Sequence, residues 1–128
     1  MVPTIWGVAM KIMIVEDHPD MRRMLKSIVA IASREPVEVF ECADGEEAVL
    51  TYGAVRPDHV LMDVQLGSTD GFTVTERIRK QDPDASVIFV TSHNTSAYRT
   101  KAKLLHATGF VSKENLSELD SLLQSSTH

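Results

Sequence analysis

Short runs of branched apolar residues alternate with amphipathic segments along the chain, and this alternation constrains the fold more than any other feature. The apolar runs are residues 11–15, 37–43, 59–62, 86–91 and 109–112, each short enough for a strand that is covered on both faces. Helix-like segments follow them at residues 19–32, 44–54, 72–81, 95–107 and 116–123. Five β–α units predict an α/β fold, a doubly wound, five-stranded parallel sheet with helices on both faces and right-handed crossovers.

The composition narrows the class of protein. The 128 residues suit one domain, which we expect at residues 11–126, after a leader at residues 1–10 outside the functional core. The net charge of −5 argues against direct nucleic-acid binding, and no apolar run approaches the roughly 18 residues of a membrane span. The single cysteine, Cys42, cannot form an internal disulfide. We expect it to be a small core residue in a reducing compartment, the cytoplasm.

Polar side chains follow four of the predicted strands at the point where each strand ends. They are Glu16 and Asp17 after the first strand, Asp63 at the third, Thr91 and Ser92 at the fourth, and Lys113 after the fifth. Functional sites of open α/β sheets lie at the carboxyl ends of the strands, where the strand order reverses. The sequence therefore predicts that three carboxylates, a hydroxyl pair and one ammonium meet at one edge of the sheet.

The chemistry of such a cluster points to a cation and to phosphate. Three neighbouring carboxylates repel one another, so protonation or a bound cation must relieve the repulsion. Oxygen ligands without thiolates suit Mg²⁺, or Mn²⁺. A carboxylate beside such an ion can attack phosphorus and form an acyl phosphate, whose oxygens need nearby cations and donors such as Lys113 and Thr91. We therefore expect Asp63 to be phosphorylated.

Six motifs occur in an order and spacing that resemble one known family. They are IVEDHPDMRRML at 14–25, ADGEEAV at 43–49, RPDHVLMD at 56–63, DGF at 70–72, VIFVTS at 87–92 and GFVSK at 109–113. From Lys11 to about Leu123 the chain resembles the response-regulator receiver domains of two-component signalling. The resemblance implies a flavodoxin-like (βα)5 fold of the chemotaxis type, with strand order 2-1-3-4-5.

The resemblance also implies a role for each site residue. The implied roles are a phosphoacceptor, Asp63; Mg²⁺ ligands, Glu16, Asp17, Asp63 and the backbone carbonyl of Gln65; phosphoryl-stabilising residues, Thr91, Ser92 and Lys113; a conformational switch, Thr91 and Phe110; and residues that tune dephosphorylation, Gln65 and His93. In this scheme the rotamer of Phe110 follows Thr91 when its hydroxyl moves toward the phosphoryl group.

The implied partners are those of a signalling switch rather than of an enzyme that turns over a separate substrate. A histidine kinase or a histidine phosphotransfer protein would donate the phosphoryl group. A downstream protein effector, or a C-terminal output domain missing from this chain, would respond to the fourth helix, fifth strand and fifth helix, roughly residues 95–125. The resemblance allows a monomer or a phosphorylation-dependent dimer, with no membrane partner.

Other interpretations stay open at this point. A chain with the same fold but without phosphorylation would be a pseudo-receiver that only binds partners. A phosphatase of the haloacid-dehalogenase type would need a second Asp two residues after Asp63, where the chain has Gln65, and a flavodoxin-like nucleotide binder would need a Gly-rich loop after the first strand instead of EDHPDM.

Several local features carry simpler structural expectations. Asp17 can cap the first helix. The apolar face of that helix would consist of Met21, Met24, Leu25, Ile28, Val29 and Ala32. The five histidines are scattered without metal-ligand spacing, so we expect them at the surface or in the core. Glu114, where many receivers have proline, removes the cis peptide that is common after the lysine.

Overall fold

The computed structural model describes residues 10–33 and 35–124. They form one five-stranded, parallel sheet in the order β2-β1-β3-β4-β5. The strands are β1 (Met10–Val15), β2 (Val37–Cys42), β3 (His59–Asp63), β4 (Val87–Thr91) and β5 (Gly109–Ser112). The helices are α1 (Pro19–Ala32), α2 (Gly45–Val55), α3 (Gly71–Gln81), α4 (Ser96–Leu104) and α5 (Glu118–Gln124). The predicted fold class and strand order are confirmed, while the predicted leader, apart from Met10, lies outside the described residues.

Two hydrophobic layers, one on each face of the sheet, hold the helices in place. Residues alternate along each strand, so Met13 and Val15 of β1 enter one layer while Ile12 and Ile14 enter the other. Helices α2, α3 and α4 contribute to the first layer and helices α1 and α5 to the second. Cys42 is buried in the first layer, as predicted. Covering both faces explains why the strand sequences are nearly all apolar.

The strand order reverses between β1 and β3, which makes their carboxyl ends the topological switch point. The register pairs Val15 with Met62 across these two strands, and it pairs Thr91 with Ser112 between β4 and β5. The strands β1, β3, β4 and β5 therefore end at similar levels along the sheet. The residues that follow them lie together at one edge of the sheet.

Acidic side chains fix the starts of two helices. Asp44 accepts a hydrogen bond from the Glu47 backbone N–H at 2.8 Å and begins α2. Asp70 accepts one from the Thr73 N–H at 2.9 Å and begins α3. Each side chain satisfies a backbone donor that the helix itself leaves unpaired.

Helix α1 departs from the sequence predictions. Its N-cap is His18, with no side-chain capping hydrogen bond, so the predicted Asp17 cap is wrong. Pro19 occupies the first helical position, where its missing N–H costs nothing. Met24 was predicted in the core stripe, but it is 50% exposed, because Leu25 and Val29 provide the buried face.

The last two helices are shorter than predicted. Helix α4 ends at Leu104 rather than at residue 107, because His106 adopts a left-handed conformation with φ 55° and ends the helical path. Helix α5 begins at Glu118, after a turn that contains Leu116. No helix in residues 10–33 or 35–124 is long and apolar enough to cross a lipid bilayer.

Candidate functional site

The β1–α1 connection supplies three consecutive side chains to the switch point. The Glu16 backbone N–H donates to the Cys42 carbonyl at 3.0 Å, so the backbone continues the pairing of β1 with β2 beyond the last strand residue. The Glu16 side chain is fully buried, while Asp17 is partly exposed and His18 is exposed. The connection thus buries Glu16 at the edge of the sheet and places Asp17 and His18 nearer the solvent.

Asp63 and Lys113 complete the centre of the site. Asp63 is the last residue of β3 and is only 4% exposed. The Lys113 Nζ atom lies 3.3 Å from Asp63 Oδ2 and 2.9 Å from Glu16 Oε1. Its backbone N–H donates to the Thr91 carbonyl at 2.8 Å, which holds the β5–α5 connection against the end of β4. One ammonium is therefore shared between two buried carboxylates.

Burial and charge shift the protonation of these groups in different directions. Burial and the neighbouring Glu16 charge raise the pKa of Asp63 to about 6, although Lys113 opposes the shift. Burial also favours the neutral form of Glu16, but the contacts with Lys113 and His18 outweigh it and hold the pKa of Glu16 below its usual range. Burial favours neutral Lys113, yet its two carboxylate partners raise its pKa. The ammonium therefore stays charged and compensates Glu16 more fully than Asp63.

The site has the donor atoms of a metal site. One ligand atom from each of Glu16, Asp17, His18 and Asp63 lies within 4.8 Å of every other. The Asp17 Oδ1 atom is buried and accepts no well-formed hydrogen bond, although His18 Nδ1 lies 3.1 Å from it. A buried, unsatisfied carboxylate oxygen beside two other acids is destabilising unless a cation approaches it. The carboxylate oxygens fit Mg²⁺, which prefers hard oxygen ligands.

The β3–α3 connection forms the wall of the site. The Gln65 N–H donates to Asp63 Oδ1 at 3.3 Å, and the Gly71 N–H donates to the Val64 carbonyl at 2.7 Å. A Cβ atom at Gly71 would lie only 2.2 Å from the carbonyl oxygen of Asp63, so α3 begins directly against the Asp63 backbone. Gly67 has φ 80°, a conformation that favours glycine, and faces Asp17.

The predicted phosphoryl-binding and tuning residues of the β4–α4 connection lie at the same edge but bond to each other. Thr91 is buried at the end of β4, and its Oγ1 accepts a hydrogen bond from the His93 N–H at 3.0 Å. Ser92 and His93 are exposed, with Ser92 Oγ 3.3 Å from His93 Nδ1. The structure thus joins Glu16, Asp17, Asp63 and Lys113 in one network, while the hydroxyls of Thr91 and Ser92 bond within their own loop.

Phe110, the predicted switch residue, lies on β5 and is half-buried. The Arg99 guanidinium carbon from α4 is 4.9 Å from the centre of its ring, a cation–π distance. A groove of about 260 Å³ adjoins the pair and is lined also by Ala102, Lys103 and Gly109. The orientation of Phe110 is therefore linked to the shape of the α4–β5 surface.

Sequence analysis missed the position of His18. Its Nδ1 atom lies 3.1 Å from Glu16 Oε2 and 3.1 Å from Asp17 Oδ1. The hydrogen bond to Glu16 and the charge of Asp17 raise the pKa of His18. The only signal in the sequence was its place directly after the two acids. Of the other histidines, His59 is buried and His93 is exposed, and both positions are among the predicted alternatives of core or surface.

Comparisons with known proteins agree on the family. A family model described as the response regulator receiver domain matches residues 12–124. The chemotaxis protein CheY of Thermotoga maritima is 33% identical over 103 residues, which are 80% of this chain and 84% of that protein. Other curated relatives are longer, such as the transcriptional regulatory protein DegU of Brevibacillus brevis, of which the chain spans 44%.

Solved structures give the same result. A two-component response regulator of the LuxR family from Aurantimonas sp. SI85-9A1 is similar with a TM-score of 0.84 at 32% identity, over 92% of this chain and 84% of that chain. The response regulator protein TrrA of Thermotoga maritima, solved in complex with Mg²⁺ and BeF, gives a TM-score of 0.79 at 28% identity, over 91% and 98%. The order of the strands, the acidic site at the switch point and the match over residues 12–124 together show that this chain belongs to the response regulator receiver domain family.

Proposed function

We propose that the chain is a phosphorylation switch in which Asp63 accepts a phosphoryl group from a phosphohistidine in a Mg²⁺-dependent reaction. The donor would be a histidine kinase or a histidine phosphotransfer protein. The observation that carries the proposal is a buried aspartate held 3.3 Å from a lysine ammonium, beside two further carboxylates at the switch point of the sheet.

The state of Asp63 suits a nucleophile. With a pKa of about 6, its carboxylate is mainly ionised at neutral pH. The positive charge of Lys113 compensates this negative charge only in part. One of its oxygens would attack phosphorus while the bond from phosphorus to the donor imidazole nitrogen breaks, and that nitrogen would keep the electron pair. The Lys113 ammonium, already within contact distance of Asp63, would stabilise the negative charge of the transferred group.

Asp17, Asp63 and the backbone carbonyl of Gln65 would hold Mg²⁺, and Glu16 would contribute from the buried side. When bound, the ion would neutralise charge on the carboxylates and the phosphoryl oxygens. The buried Oδ1 of Asp17 supports this assignment, since it makes no well-formed hydrogen bond and has room in its coordination for a cation. The response regulator TrrA, which has the same fold, was solved in complex with Mg²⁺ and BeF, and this supports a Mg²⁺ site in a protein of this family.

A change at Thr91 would pass the signal to Phe110. The Thr91 hydroxyl accepts a hydrogen bond from the His93 N–H, a neutral donor within its own loop. A phosphoryl group on Asp63, with Ser92 nearby, would draw that hydroxyl toward its oxygens and free space for the Phe110 ring to turn inward. Phe110 would then leave Arg99, which changes the groove between α4 and β5.

That groove belongs to the proposed output surface of α4, β5 and α5. A separate protein effector or an output domain would bind there, and the chain would act as a monomer or as a phosphorylation-dependent dimer. Gln65 and His93, on the two connections that flank Asp63, would set how fast water removes the phosphoryl group. The free, buried thiol of Cys42 is compatible with a reducing, cytoplasmic setting.

Intact-mass measurement after incubation with acetyl phosphate and MgCl₂ tests this function. We expect an addition of about 80 Da that disappears with EDTA and in Asp63→Asn, and whose yield falls in Lys113→Ala. Asp44→Asn, at a helix start outside the metal-ligand group, is the matched control and should be phosphorylated like the wild type. A pseudo-receiver would show no adduct, and an adduct that persists in Asp63→Asn would contradict the assignment of the phosphoacceptor.

A further inference from the structure

We propose that His18 is a nitrogen ligand of this cation site and makes it select borderline transition ions, Zn²⁺ above all, more strongly than its carboxylates alone would. The inference rests on the metal site of the proposed function and adds to it a residue that determines which cation binds. It concerns the resting, unphosphorylated protein.

The geometry places an imidazole nitrogen among the oxygen ligands. His18 Nδ1 is 3.1 Å from an oxygen of Glu16 and 3.1 Å from an oxygen of Asp17, and it belongs to the same group of atoms as the Asp63 carboxylate, all within 4.8 Å. The 3.1 Å separations fit atoms that share one ion at ligand distances of about 2.0–2.2 Å, and the wider separations, up to 4.8 Å, would close slightly around the ion. The His18 side chain therefore needs no large movement to coordinate.

The backbone keeps the imidazole there. The His18 N–H donates to Glu16 Oε2 at 3.2 Å, and the residue adopts extended dihedrals of φ −90° and ψ 117°. The following residue, Pro19, restricts His18 to such extended conformations. His18 is thus held at the N-cap of α1 without the side-chain capping bond that would turn it away from the acids.

The ligand chemistry gives the selectivity. Mg²⁺ takes hard oxygen ligands and keeps several waters, so it gains little from an imidazole. Imidazole suits Zn²⁺ and its neighbours in the first transition row, whose affinities for nitrogen sites are higher. Without metal, Nδ1 faces two carboxylates, which only accept, so a bound ion would replace the proton at Nδ1 and release it to water. The His18 side chain is 73% exposed, so its Nε2 can keep the other ring proton in water. Coordination would therefore cost little desolvation.

His93 provides the matched comparison. It lies at the same edge of the sheet and is also exposed, but its ring contacts are Ser92 Oγ at 3.3 Å and the Tyr98 ring at 6.4 Å between centroids. It does not belong to the group of candidate ligands found in the described residues. Removing His93 thus removes one imidazole from the same region without removing a ligand.

Calorimetric titration of the full, unphosphorylated chain with MgCl₂ and with ZnCl₂ measures the selectivity in wild type, His18→Ala and His93→Ala. We expect His18→Ala to weaken Zn²⁺ binding by about tenfold or more and to change Mg²⁺ binding by less than about twofold. His93→Ala should change neither. Imidazole ¹⁵N NMR of the wild type should show Zn²⁺ shifting the Nδ1 resonance of His18.

Three results would overturn the inference: no loss of Zn²⁺ affinity in His18→Ala, an equal loss for both ions, or a coordination shift at another histidine only. If Mg²⁺ binds and Asp63 is phosphorylated while any of these is seen, only the role of His18 fails. If Mg²⁺ does not bind and Asp63 cannot be phosphorylated, both the role of His18 and the proposed function fail.

Discussion

Replacing Asp63 with asparagine should make the metal-free protein more stable, although it removes the centre of the proposed reaction. The pKa of Asp63 rises from its ordinary 3.8 to about 6 because the folded protein buries it beside Glu16. A difference of about two units corresponds to about 3 kcal/mol of stability lost by the ionised form. Lys113 keeps its 2.9 Å contact with Glu16 in the variant, so no ammonium is left unpaired. Because the asparagine amide will form imperfect hydrogen bonds at this position, we expect the free energy of unfolding of Asp63→Asn to exceed that of the wild type by about 1–3 kcal/mol.

The sign of the pH dependence follows from the same shift. Because the folded-state pKa is the higher one, the folded protein binds the proton more tightly than the unfolded chain does between about pH 4 and pH 6. The penalty on the wild type is therefore absent below pH 4, grows as pH rises to about 6, and is constant above it. The stability difference between Asp63→Asn and wild type should follow this course.

Urea unfolding in EDTA, followed by far-ultraviolet circular dichroism from pH 4 to pH 8, measures the difference. Glu38→Gln removes one negative charge from an exposed position on β2 and is the control, with an expected change within about 0.5 kcal/mol. Adding Mg²⁺ should stabilise the wild type and narrow the gap. A destabilised Asp63→Asn variant, or a gap that does not change between pH 4 and pH 6, would refute the reasoning.

Three other predictions concern the scaffold and can be checked in the same unfolding assay. Asp70→Ala removes the side chain that accepts from the Thr73 N–H at 2.9 Å and should cost about 1 kcal/mol, whereas Asp70→Asn should retain most of that stability. Gly71→Ala places a Cβ 2.2 Å from the Asp63 carbonyl oxygen and should cost about 1–3 kcal/mol; an unchanged midpoint would contradict the close packing. Burial lowers the pKa of His59 below its usual 6.5, so the contribution of His59 to stability should fall as pH drops below 6.5, and the stability of His59→Gln relative to wild type should rise over that range.

The fold could be predicted because its determinants are local and repeated. Runs such as those of β1 and β3 are apolar on both faces, which only a sheet covered on both sides tolerates. The grouping of charged side chains at the sheet edge was also predictable in outline, since the end of each strand is marked by the change from apolar to polar residues. Nothing more than strand ends and a parallel sheet is needed to bring Glu16, Asp63 and Lys113 together.

The positions and contact partners of individual side chains could not be predicted. Asp17 has the chemistry of a helix cap, but it faces the other acids instead, and His18 takes the N-cap position without capping. That outcome depends on the position of Asp63, 46 residues away in the sequence. Met24 likewise fits the same helical stripe as Leu25 and Val29 in sequence, yet it is 50% exposed, whereas Leu25 and Val29 are buried as predicted.

The distribution of charge in the site explains why these acids are compatible with a stable fold. Among the described residues, Lys113 is the one lysine or arginine whose side chain contacts the two buried carboxylates, and its single positive charge balances only one negative charge. Removing the excess would favour folding, as the prediction for Asp63→Asn states. The uncompensated charge instead leaves the site ready for any ligand that brings positive charge to Asp63 and Asp17. Cation binding therefore needs no new structure, since the folding of the two hydrophobic layers already sets the acids against one another.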